Sequence, residues 1–336
     1  MEAWCVAVPR ERAEEIRRAL QEKGLLRTDA RIVPEGPRVY LPTVHPVDVG
    51  YPVQRRAFEG GARPVRSYRE LVEVPDGLRP RLPSSFDVIG DIALMKIPEE
   101  LVPHRAEIGR AVLAWNRALR VAAWDRGVKG GYRVRDVEIV AGERRTTTVH
   151  TEHGLRYRVD VARAYFSPRL GTERKRVADA VHRGEAVGDP FAGVGPYAIL
   201  IARTRDPARV VASDSNPVAV ELLRANVGSN RAARVDVREG DARAVLGGAA
   251  PLDRVILDLP HSALDFFGDA LGSLAGRGTV HLYGILEHAE RESRAEEIRY
   301  LVEREGRSLE DLRVHTVRAY SPTQHHVAFD VTVGPA

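Results

Sequence analysis

The sequence predicts an α/β protein with three parts: a C-terminal Rossmann-like domain, an α+β middle domain and a small α/β N-terminal domain. Three observations carry this prediction. An apolar strand ending in Val187-Gly188-Asp189 runs into a glycine-rich turn and then into a helix. From about Val161 onward, strand and helix patterns alternate, as they do around a parallel sheet. The 336 residues also exceed the roughly 250 that one hydrophobic core supports, so several domains are expected.

The N-terminal part of the chain predicts a small domain followed by a linker. Within residues 1–48 we expect a strand at Ala3–Val8, a helix at Arg10–Lys23 and extended pieces at 31–34 and 38–42. A Pro-Glu-Gly-Pro turn separates the two extended pieces. Residues 49–78 are rich in Pro, Gly and Arg and only weakly periodic, which predicts a linker with some local structure.

Residues 79–160 have the pattern of a separate α+β middle domain. One strand with a central glycine is expected over Asp87–Ile97, and a helix is expected from Val102 to Trp115. Four further strands are expected at 122–124, 136–141, 146–152 and 155–160. His153-Gly154 predicts a hairpin turn between the last two of them.

Residues 161–336 predict a doubly wound sheet with a terminal hairpin. The expected helices lie at 172–182, 197–203, 217–228, 263–274 and 291–305. The expected parallel strands begin at 187, 210, 235, 254 and 278. The last two strands, 312–320 and 325–333, are expected to pair with each other in antiparallel fashion.

The composition predicts a globular chain that works in the cytoplasm and has no membrane partner. No apolar run approaches the roughly 20 residues of a membrane span, and charges at 10–12 argue against a signal peptide. The single cysteine, Cys5, excludes an internal disulfide and a cysteine-rich zinc site. His325-His326 has no acid or cysteine pattern nearby, so no metal is expected. No long apolar surface stretch stands out, so we expect a monomer with no obligatory protein partner.

The basic residues indicate a nucleic-acid partner more through their clustering than through their number. The net charge is only +4, and nearly all of the basic residues are arginines, whose planar fork suits phosphates and base edges. GC-rich coding and thermophily also favour arginine over lysine, so composition alone decides nothing. Arginine clusters upstream of the glycine turn are expected to line an RNA path. They lie at 55–56, 63–69, 133–145 and 169–176.

The glycine turn and the acid that follows it predict an adenosine-type cofactor. Gly193 and Gly195 let the backbone approach a ligand, and Asp214 ends the next strand, where an acid can hold ribose hydroxyls. A tight strand–helix corner without a ligand is the plainer alternative. The sequence lacks both the third glycine of a dinucleotide fold and the Gly-Lys-Ser/Thr of a P-loop. Its Asp-Pro-Phe-Ala-Gly-Val-Gly turn resembles the S-adenosylmethionine site of Rossmann-like methyltransferases.

Four segments together resemble the archaeal and eukaryotic tRNA (guanine-37 N1)-methyltransferase family. They are residues 85–93 (SFDVIGDIA), 165–174 (YFSPRLGTER), 189–196 (DPFAGVGP) and 258–263 (DLPHSA). The resemblance implies a class I methyltransferase that moves a methyl group from S-adenosylmethionine to N1 of the guanosine 3′ of the tRNA anticodon. It also implies that the N-terminal domain contacts the outer corner of the tRNA, and that the other two domains hold the anticodon loop.

The resemblance assigns four catalytic residues. Glu173 is expected to be the general base for the N1 proton and Arg133 to stabilise charge on O6, while Tyr165 stacks on or hydrogen-bonds the target base. Without the resemblance, an ordinary first-turn helix glutamate capped by Thr172 is the favoured interpretation of Glu173. Asp258 stands where this family usually has Asn, so it is expected either to accept from the guanine 2-amino group or to help take the N1 proton.

The same resemblance gives the expected cofactor site. Its residues are Arg174, Asp189, Phe191, Ala192, Gly193, Gly195, Asp214, Asn216, Asp241, Asp258 and Pro260. Arg174 is expected to touch the methionine carboxylate or a phosphate.

Three alternatives remain open. The first is a wybutosine-pathway enzyme on the same tRNA position, which transfers the aminocarboxypropyl group or also methylates the wyosine precursor. The second is a non-catalytic RNA-binding protein with a vestigial cofactor fold, against which Glu173 and Asp214 argue. The third is a dinucleotide oxidoreductase, which the missing third glycine disfavours.

Overall fold

The structure, a computed structural model, describes residues 1–60 and 65–335. It divides into two compact units, Met1–Leu71 and Val72–Ala336. Arg63, from one of the predicted basic clusters, and the linker residues 61–64 lie outside the described residues. No helix within the described part of the chain is long and apolar enough to span a membrane.

The first unit is a four-stranded antiparallel sheet with one helix against it. Its elements are β1 (Glu2–Pro9), α1 (Ala13–Glu22), β2 (Val33–Glu35), β3 (Arg38–Thr43) and β4 (Val53–Ala57). The strand order is β2-β3-β1-β4. Leu20 of α1 packs with Val6, Val8 and Leu41, because these side chains lie on one face of the sheet. β4, the edge strand, is formed by residues that the sequence assigns to the linker.

The second unit begins with a four-stranded sheet and a separate hairpin. The sheet, in the order β5-β6-β7-β8, is accompanied by one helix, α2. These elements are β5 (Asp87–Ile89), β6 (Ile92–Met95), α2 (Arg105–Trp115), β7 (Val121–Lys129) and β8 (Val134–Gly142). The hairpin consists of β9 (Thr147–Glu152) and β10 (Leu155–Asp160). The predicted turn joins them, with positive φ at His153 (50°) and Gly154 (76°).

The prediction of one continuous strand over Asp87–Ile97 is wrong. Gly90 has φ +57° and reverses the chain, so β5 and β6 form an antiparallel hairpin. A Cβ at Gly90 would lie 2.1 Å from Oγ1 of Thr148, so the turn is packed tightly and only glycine fits there. The central glycine therefore marks a turn and not a close approach within a strand.

The remaining elements form the predicted doubly wound sheet with its terminal hairpin. The helices are α3 (Gly171–Ala180), α4 (Pro196–Thr204), α5 (Pro217–Ser229), α6 (Ala242–Ala249), α7 (Phe267–Ser273) and α8 (Glu290–Arg304). The strands are β11 (Ala186–Asp189), β12 (Arg209–Asp214), β13 (Val235–Glu239), β14 (Leu252–Leu257), β15 (Leu274–Glu287), β16 (Arg307–Ala319) and β17 (Gln324–Pro335). Their order is β13-β12-β11-β14-β15-β17-β16, in which β17 alone runs antiparallel to both of its neighbours. α6 is absent from the sequence prediction.

The strand order places a crevice at the carboxyl end of β11. The chain moves from β11 outward to β12 and β13, and then crosses back to β14 on the other side of β11. Ligands of doubly wound sheets bind at such a reversal, beyond the carboxyl ends of the strands. Buried residues such as Val187, Val210 and Val255 pack the central strands into the core. The positions at which the loops leave these strands are therefore fixed.

Candidate active site

The glycine turn between β11 and α4 has the backbone geometry of a ligand-binding loop. Gly193 and Gly195 have φ of +54° and +92°. A Cβ at Gly195 would stand 2.3 Å from Cδ1 of Leu223 on α5, so the loop passes too close to α5 for any other residue. A Cβ at Gly193 would lie 3.3 Å from the carbonyl oxygen of Tyr165, which therefore borders the loop.

Asp214, at the end of β12, holds the glycine turn in place. Its Oδ2 accepts from the backbone N–H of Gly193 at 2.9 Å, and its Oδ1 accepts from the backbone N–H of Asn216 at 2.8 Å. Burial raises the pKa of this carboxyl group, although these two N–H donors oppose the shift. Each oxygen keeps a second acceptor position, so the carboxylate can also accept from a pair of ribose hydroxyls.

Asp189, the last residue of β11, is a buried carboxylate without a partner. It is 1% exposed, and neither oxygen has a hydrogen bond within residues 1–60 and 65–335. Burial raises its pKa well above the ordinary value and the nearby carboxylates of Asp258 and Asp214 raise it further, although the backbone N–H groups of Ala198 and Phe191 oppose the rise. Such a group is costly unless it binds a proton or a cation. The ammonium and sulfonium groups of S-adenosylmethionine supply positive charge of that kind.

Apolar and aromatic groups lie beside this loop. The Phe191 ring meets the Phe266 ring edge-on, with centroids 5.0 Å apart, and the Arg243 guanidinium lies 4.3 Å from the centre of the Phe266 ring. Asp241 is exposed and caps α6 by accepting from the backbone N–H of Arg243 at 2.9 Å. Pro260 is half-buried in the turn after β14, and Ala192 is buried in the glycine turn. A flat purine suits an aromatic wall of this kind.

The Asn216 side chain has a structural role, and its expected contact with the cofactor stays a prediction. Its Oδ1 accepts from the backbone N–H of Val218 at 3.0 Å, which caps α5, and its Nδ2 donates to the carbonyl of Arg163 at 2.7 Å. Both polar groups of this side chain, which is 5% exposed, are therefore bonded to backbone. Its part in the cofactor site is to hold the loop that follows Asp214.

Arg174 lies in the interior and not at the surface, where a phosphate would reach it. It is 2% exposed and donates to Glu152 and to the carbonyl of Ser167, both at 2.5 Å. Its guanidinium also stacks 4.9 Å from the centre of the Phe166 ring. Arg174 thus links α3 to the β9–β10 hairpin, and its contact with the methionine carboxylate or a phosphate stays a prediction.

Glu173, in the first turn of α3, is buried and fully hydrogen-bonded. Oε1 accepts from Tyr283 Oη at 2.6 Å and from Arg176 Nη2 at 2.8 Å. Oε2 accepts from Arg176 Nε at 2.9 Å and faces His315 Nε2 at 3.4 Å. Burial alone would raise the pKa, but the hydrogen bonds from His315, Arg176 and Tyr283 outweigh it and lower the pKa of Glu173 to about 2.

A chain of hydrogen-bonded charged and polar side chains extends from Glu173 across the sheet. Arg176 also binds Asp330 of β17 at 2.5 and 3.0 Å, and Asp330 in turn meets His281 Nδ1 at 2.6 Å. Arg254, bonded to Glu185 at 2.8 Å, donates to His281 Nε2 at 2.8 Å. His281 must therefore accept at Nε2 and donate from Nδ1, which is consistent with a neutral ring whose pKa burial lowers.

Asp258, at the tip of β14, differs from Glu173 in having an open carboxylate. It is half-buried, and the part of the chain that the structure describes provides no hydrogen bond to either oxygen. Burial raises its pKa to about 6; Glu173 adds to the rise, whereas Arg174 and Arg318 oppose it. Asp258 also lies close enough to Tyr165 to raise the phenol's pKa, after the larger effect of burial. The Tyr165 residue is 43% exposed.

The remaining expected residue, Arg133, lies in the turn between β7 and β8. It is half-buried and has an unusual positive φ of 52° for a non-glycine residue. Its charge helps to lower the pKa of His261, after the larger effect of burial. His261 comes three residues after Asp258, so the structure brings the middle-domain arginine to the loop at the tip of β14. Within 72–335, these expected residues therefore converge on one region.

Residues of α3, β15 and the terminal hairpin surround Glu173, and the sequence analysis did not name them as site residues. Arg176 carried a local signal, since it stands one helical turn after Glu173. His326 carried no such signal in the sequence. It is 3% exposed, its ring centroid lies 5.3 Å from that of Tyr283, and burial lowers its pKa to about 4. Tyr283 and Asp330 likewise reach Glu173 and Arg176 only through the fold. Among the residues described, no group of three or more His, Cys, Asp or Glu side chains forms a metal site.

Three family models match consecutive stretches of the chain. A tRNA methyltransferase 5 N-terminal domain matches residues 5–49, a TYW2 N-terminal domain matches 68–146, and a TRM5/TYW2 methyltransferase domain matches 148–310. Two curated relatives are similar over 98% of both chains. Both are named tRNA (guanine(37)-N(1))-methyltransferase Trm5b, from Pyrococcus abyssi (39% identical) and Methanocaldococcus jannaschii (32% identical).

Solved structures show the same similarity. Trm5b of Pyrococcus abyssi is 38% identical, with a TM-score of 0.83 over 99% of both chains. A Trm5 in complex with tRNALeu is 31% identical, with a TM-score of 0.73 over 98% of this chain and 99% of that one. The TYW2 of M. jannaschii in complex with AdoMet is 25% identical, with a TM-score of 0.60 over 75% of this chain and 100% of that one.

Proposed function

The chain belongs to the Trm5 family of tRNA (guanine(37)-N(1))-methyltransferases, and we propose that it transfers a methyl group from S-adenosylmethionine to N1 of the guanosine that follows the tRNA anticodon. The single observation that carries this conclusion is similarity along the full length of Trm5b chains, which includes the N-terminal domain. The TYW2 structure matches only 75% of this chain. Aminocarboxypropyl transfer is therefore not favoured.

The residues at the tip of β11 fit S-adenosylmethionine. When bound, this cofactor supplies an electrophilic methyl group on a positively charged sulfur. Asp189 offers an unpaired buried carboxylate to that positive charge, and Asp214 offers two free acceptor positions for the ribose hydroxyls. Gly193 and Gly195 give the loop its positive φ angles and its close packing against Tyr165 and Leu223. Phe191 supports the aromatic wall for the adenine.

The chemistry at guanine needs a proton acceptor and a cation. N1 carries a proton at neutral pH, so a base must remove it before N1 can attack, and negative charge then builds on O6. We assign Arg133 to O6 and Tyr165 to the face of the base, as the resemblance implies. The resemblance designates Glu173 as the base, and Glu173 can act only after one of its donors leaves. Asp258, at the tip of β14, is the second carboxylate in this region of the site.

We assign recognition of the tRNA outer corner to the N-terminal domain, residues 1–48, and of the anticodon loop to residues 79–336. In the first unit, the exposed Arg55 on β4 stacks 5.3 Å from the centre of the Trp4 ring, and Arg56 stacks 4.3 Å from that of Tyr40. Paired arginines and aromatic rings suit a sugar–phosphate surface. We further propose that the protein acts as a monomer in the cytoplasm.

Nucleoside mass spectrometry tests the proposed function. The protein is incubated with S-adenosylmethionine and an unmodified tRNA that has guanosine 3′ of its anticodon. We expect 1-methylguanosine, and we expect none when that base is changed to adenosine. An aminocarboxypropyl adduct, or a product that forms only from a modified precursor tRNA, would assign the chain to wyosine chemistry instead.

A further inference from the structure

The arginines of the middle and methyltransferase domains fall into two groups. Many are bonded to carboxylates of the same chain, and a smaller group has no such partner. In the basic clusters at 133–145 and 169–176, the arginines that pair with a carboxylate are Arg135, Arg145, Arg169, Arg174 and Arg176. Such a pair has no net charge, so it attracts a further anion only weakly.

Three arginines in and just after β10 belong to the second group: Arg156, Arg158 and Arg163. All three are exposed, and their side chains have no hydrogen bond or ion pair with residues 1–60 or 65–335. An unpaired guanidinium keeps its full charge and all five of its N–H donors. These three residues, which we call the arginine strip, are therefore free to bind an anion from solution.

The outer face of the β9–β10 hairpin, on which the strip begins, carries no acid. Alternation along the two strands turns residues such as Tyr157 and Val159 into the core. The exposed positions between the buried ones are Thr147, Val149, Thr151, Arg156 and Arg158. The two acids of the hairpin are used elsewhere, since Glu152 bonds to Arg174 and Asp160 accepts from a backbone N–H. This face therefore offers positive charges and hydroxyl groups to a ligand, and no negative charge.

Two asparagines of α5 fix the position of β10. Asn226 accepts from the backbone N–H of Arg158 at 2.7 Å and donates to its carbonyl at 3.0 Å. Asn230, one helical turn later, bonds in the same way to the backbone of Arg156, at 2.9 and 2.7 Å. These amides satisfy the edge of β10 that β9 leaves free, as a further strand would. The side chains of Arg156 and Arg158 therefore project from a fixed backbone, about 7 Å apart.

The same contacts place β10 beside the cofactor turn. Asn226 Nδ2 also donates to the carbonyl of Val194, which lies between the two glycines of the turn, at 2.9 Å. Beyond β10 the chain continues through Arg163 to Tyr165, whose carbonyl oxygen borders Gly193. The arginine strip therefore runs along the hairpin toward the crevice at the carboxyl end of β11.

On the strength of the proposed function, we propose that the arginine strip binds the phosphate backbone of the anticodon arm of the tRNA. Arginine and threonine side chains are common phosphate ligands, and residues two apart on a strand have a spacing similar to that of consecutive phosphates in an RNA strand. Within 147–158, Val149 is the one exposed apolar residue of the outer face, so an acidic protein segment would bury little apolar area there. The strip reads no base. It sets the position of the arm, so that the target guanosine reaches the crevice.

The binding of two RNAs by the full chain tests the strip. Intact tRNA contains the outer corner and the anticodon arm, whereas an isolated anticodon stem-loop contains only the arm. The double variant Arg156→Ala plus Arg158→Ala is expected to bind both RNAs about tenfold or more weakly at about 0.1 M salt, and to lose about two phosphate contacts from the salt dependence. Arg183→Ala is the matched control, because it removes an exposed arginine just before β11, at the opposite end of the parallel strands. It is expected to change neither affinity.

Arg55→Glu distinguishes the strip from the N-terminal domain. This variant is expected to bind intact tRNA more weakly and to keep its affinity for the stem-loop, whereas the double variant weakens both. S-adenosylmethionine affinity and the thermal unfolding midpoint are expected to stay unchanged in the double variant, because Arg156 and Arg158 are exposed and their side chains are unbonded. A saturating concentration of tRNA is expected to restore its single-turnover methylation rate, since the strip takes no part in the chemistry.

The outcomes separate the two proposals. No 1-methylguanosine from the unaltered chain, together with the expected losses of RNA affinity, would overturn the proposed function and leave the strip in place. Normal 1-methylguanosine formation, with unchanged affinity of the double variant for both RNAs, would overturn the strip alone. Weaker binding of intact tRNA with unchanged binding of the stem-loop would overturn the assignment to the anticodon arm. A methylation rate that saturating tRNA does not restore would contradict a role confined to binding.

Discussion

Arg176 donates from Nε and Nη2 to the two carboxylate oxygens of Glu173, one helical turn earlier on α3, at 2.9 and 2.8 Å. The same guanidinium binds Asp330 of β17, so one side chain joins the start of α3 to the antiparallel end of the sheet. A buried carboxylate is stable only with such a partner. The position and the charge of Glu173 therefore both depend on Arg176.

Removing Arg176 is expected to destabilise the protein strongly. Arg176→Ala leaves the buried Glu173 without its countercharge, and breaking such a pair costs about 3 kcal/mol or more. Lys175→Ala is the matched control, since it removes an exposed pair with Asp179 on the same helix, worth about 0.5 kcal/mol. Urea unfolding at pH 7 measures both free energies. Equal losses in the two variants would contradict the structural role of Arg176.

The contribution of His326 to stability is expected to fall as the pH drops from about 6.5 to 4, whereas Asp258, whose pKa is raised to about 6, acts in the opposite direction. His326 is neutral in the fold, and its pKa is lowered from 6.5 to about 4, so the unfolded chain binds a proton first in this window. The contribution of His326 to the free energy of unfolding is complete above pH 6.5 and is lost as the pH approaches 4. The loss is roughly 3 kcal/mol, at 1.36 kcal/mol per pKa unit. His281, whose pKa is also lowered, acts in the same direction.

The test of this pH effect is the slope of the unfolding free energy against pH. His326→Leu is expected to lower the slope of the unfolding free energy against pH between 4 and 6.5, whatever it does to stability at pH 7. His182→Leu, at an exposed position, is the control and is expected to keep the slope of the unaltered protein. A slope that His326→Leu leaves unchanged would show that other groups cause the acid sensitivity.

Asp214 is expected to govern cofactor affinity. Asp214→Ala removes the acceptors for the ribose and the hydrogen bond that holds the Gly193 N–H, so the dissociation constant for S-adenosylmethionine should rise about tenfold or more. Asp241→Ala removes an exposed helix cap nearby and serves as the control, with a smaller expected change. Isothermal calorimetry measures both. A larger effect at Asp241 would mean that the ribose is held there.

Arg55 is expected to contribute to tRNA binding without affecting the chemistry. Arg55→Glu should weaken tRNA affinity and reduce the salt dependence of binding by about one phosphate contact, while S-adenosylmethionine affinity stays unchanged. Arg18→Glu, at an exposed position on α1, is the control. Filter binding across salt concentrations separates them. Unchanged affinity in Arg55→Glu would remove β4 from the proposed tRNA surface.

Local patterns were sufficient for much of the fold. The strand–turn–helix around Gly193 and Gly195 has a sequence signature because the turn demands positive φ, and the hairpin at His153-Gly154 has one for the same reason. The alternation after Val161 predicted the doubly wound sheet with its terminal hairpin. The strand prediction over Asp87–Ile97 was wrong, because apolar residues on both sides of Gly90 look alike whether the glycine lies within a strand or turns the chain.

The sequence by itself determined the fold class, the cofactor turn and the family, since these depend on backbone conformation and on short motifs. Only the tertiary structure decided how the side chains are used. It bonded Asn216 to backbone, buried Arg174 against Glu152 and surrounded Glu173 with donors from β15 and β16. It left Asp258 open. The physical reason is that the bonds of Asn216 to Arg163, of Arg174 to Glu152 and of Glu173 to β15 and β16 each span more than 20 positions along the chain, which no local pattern encodes.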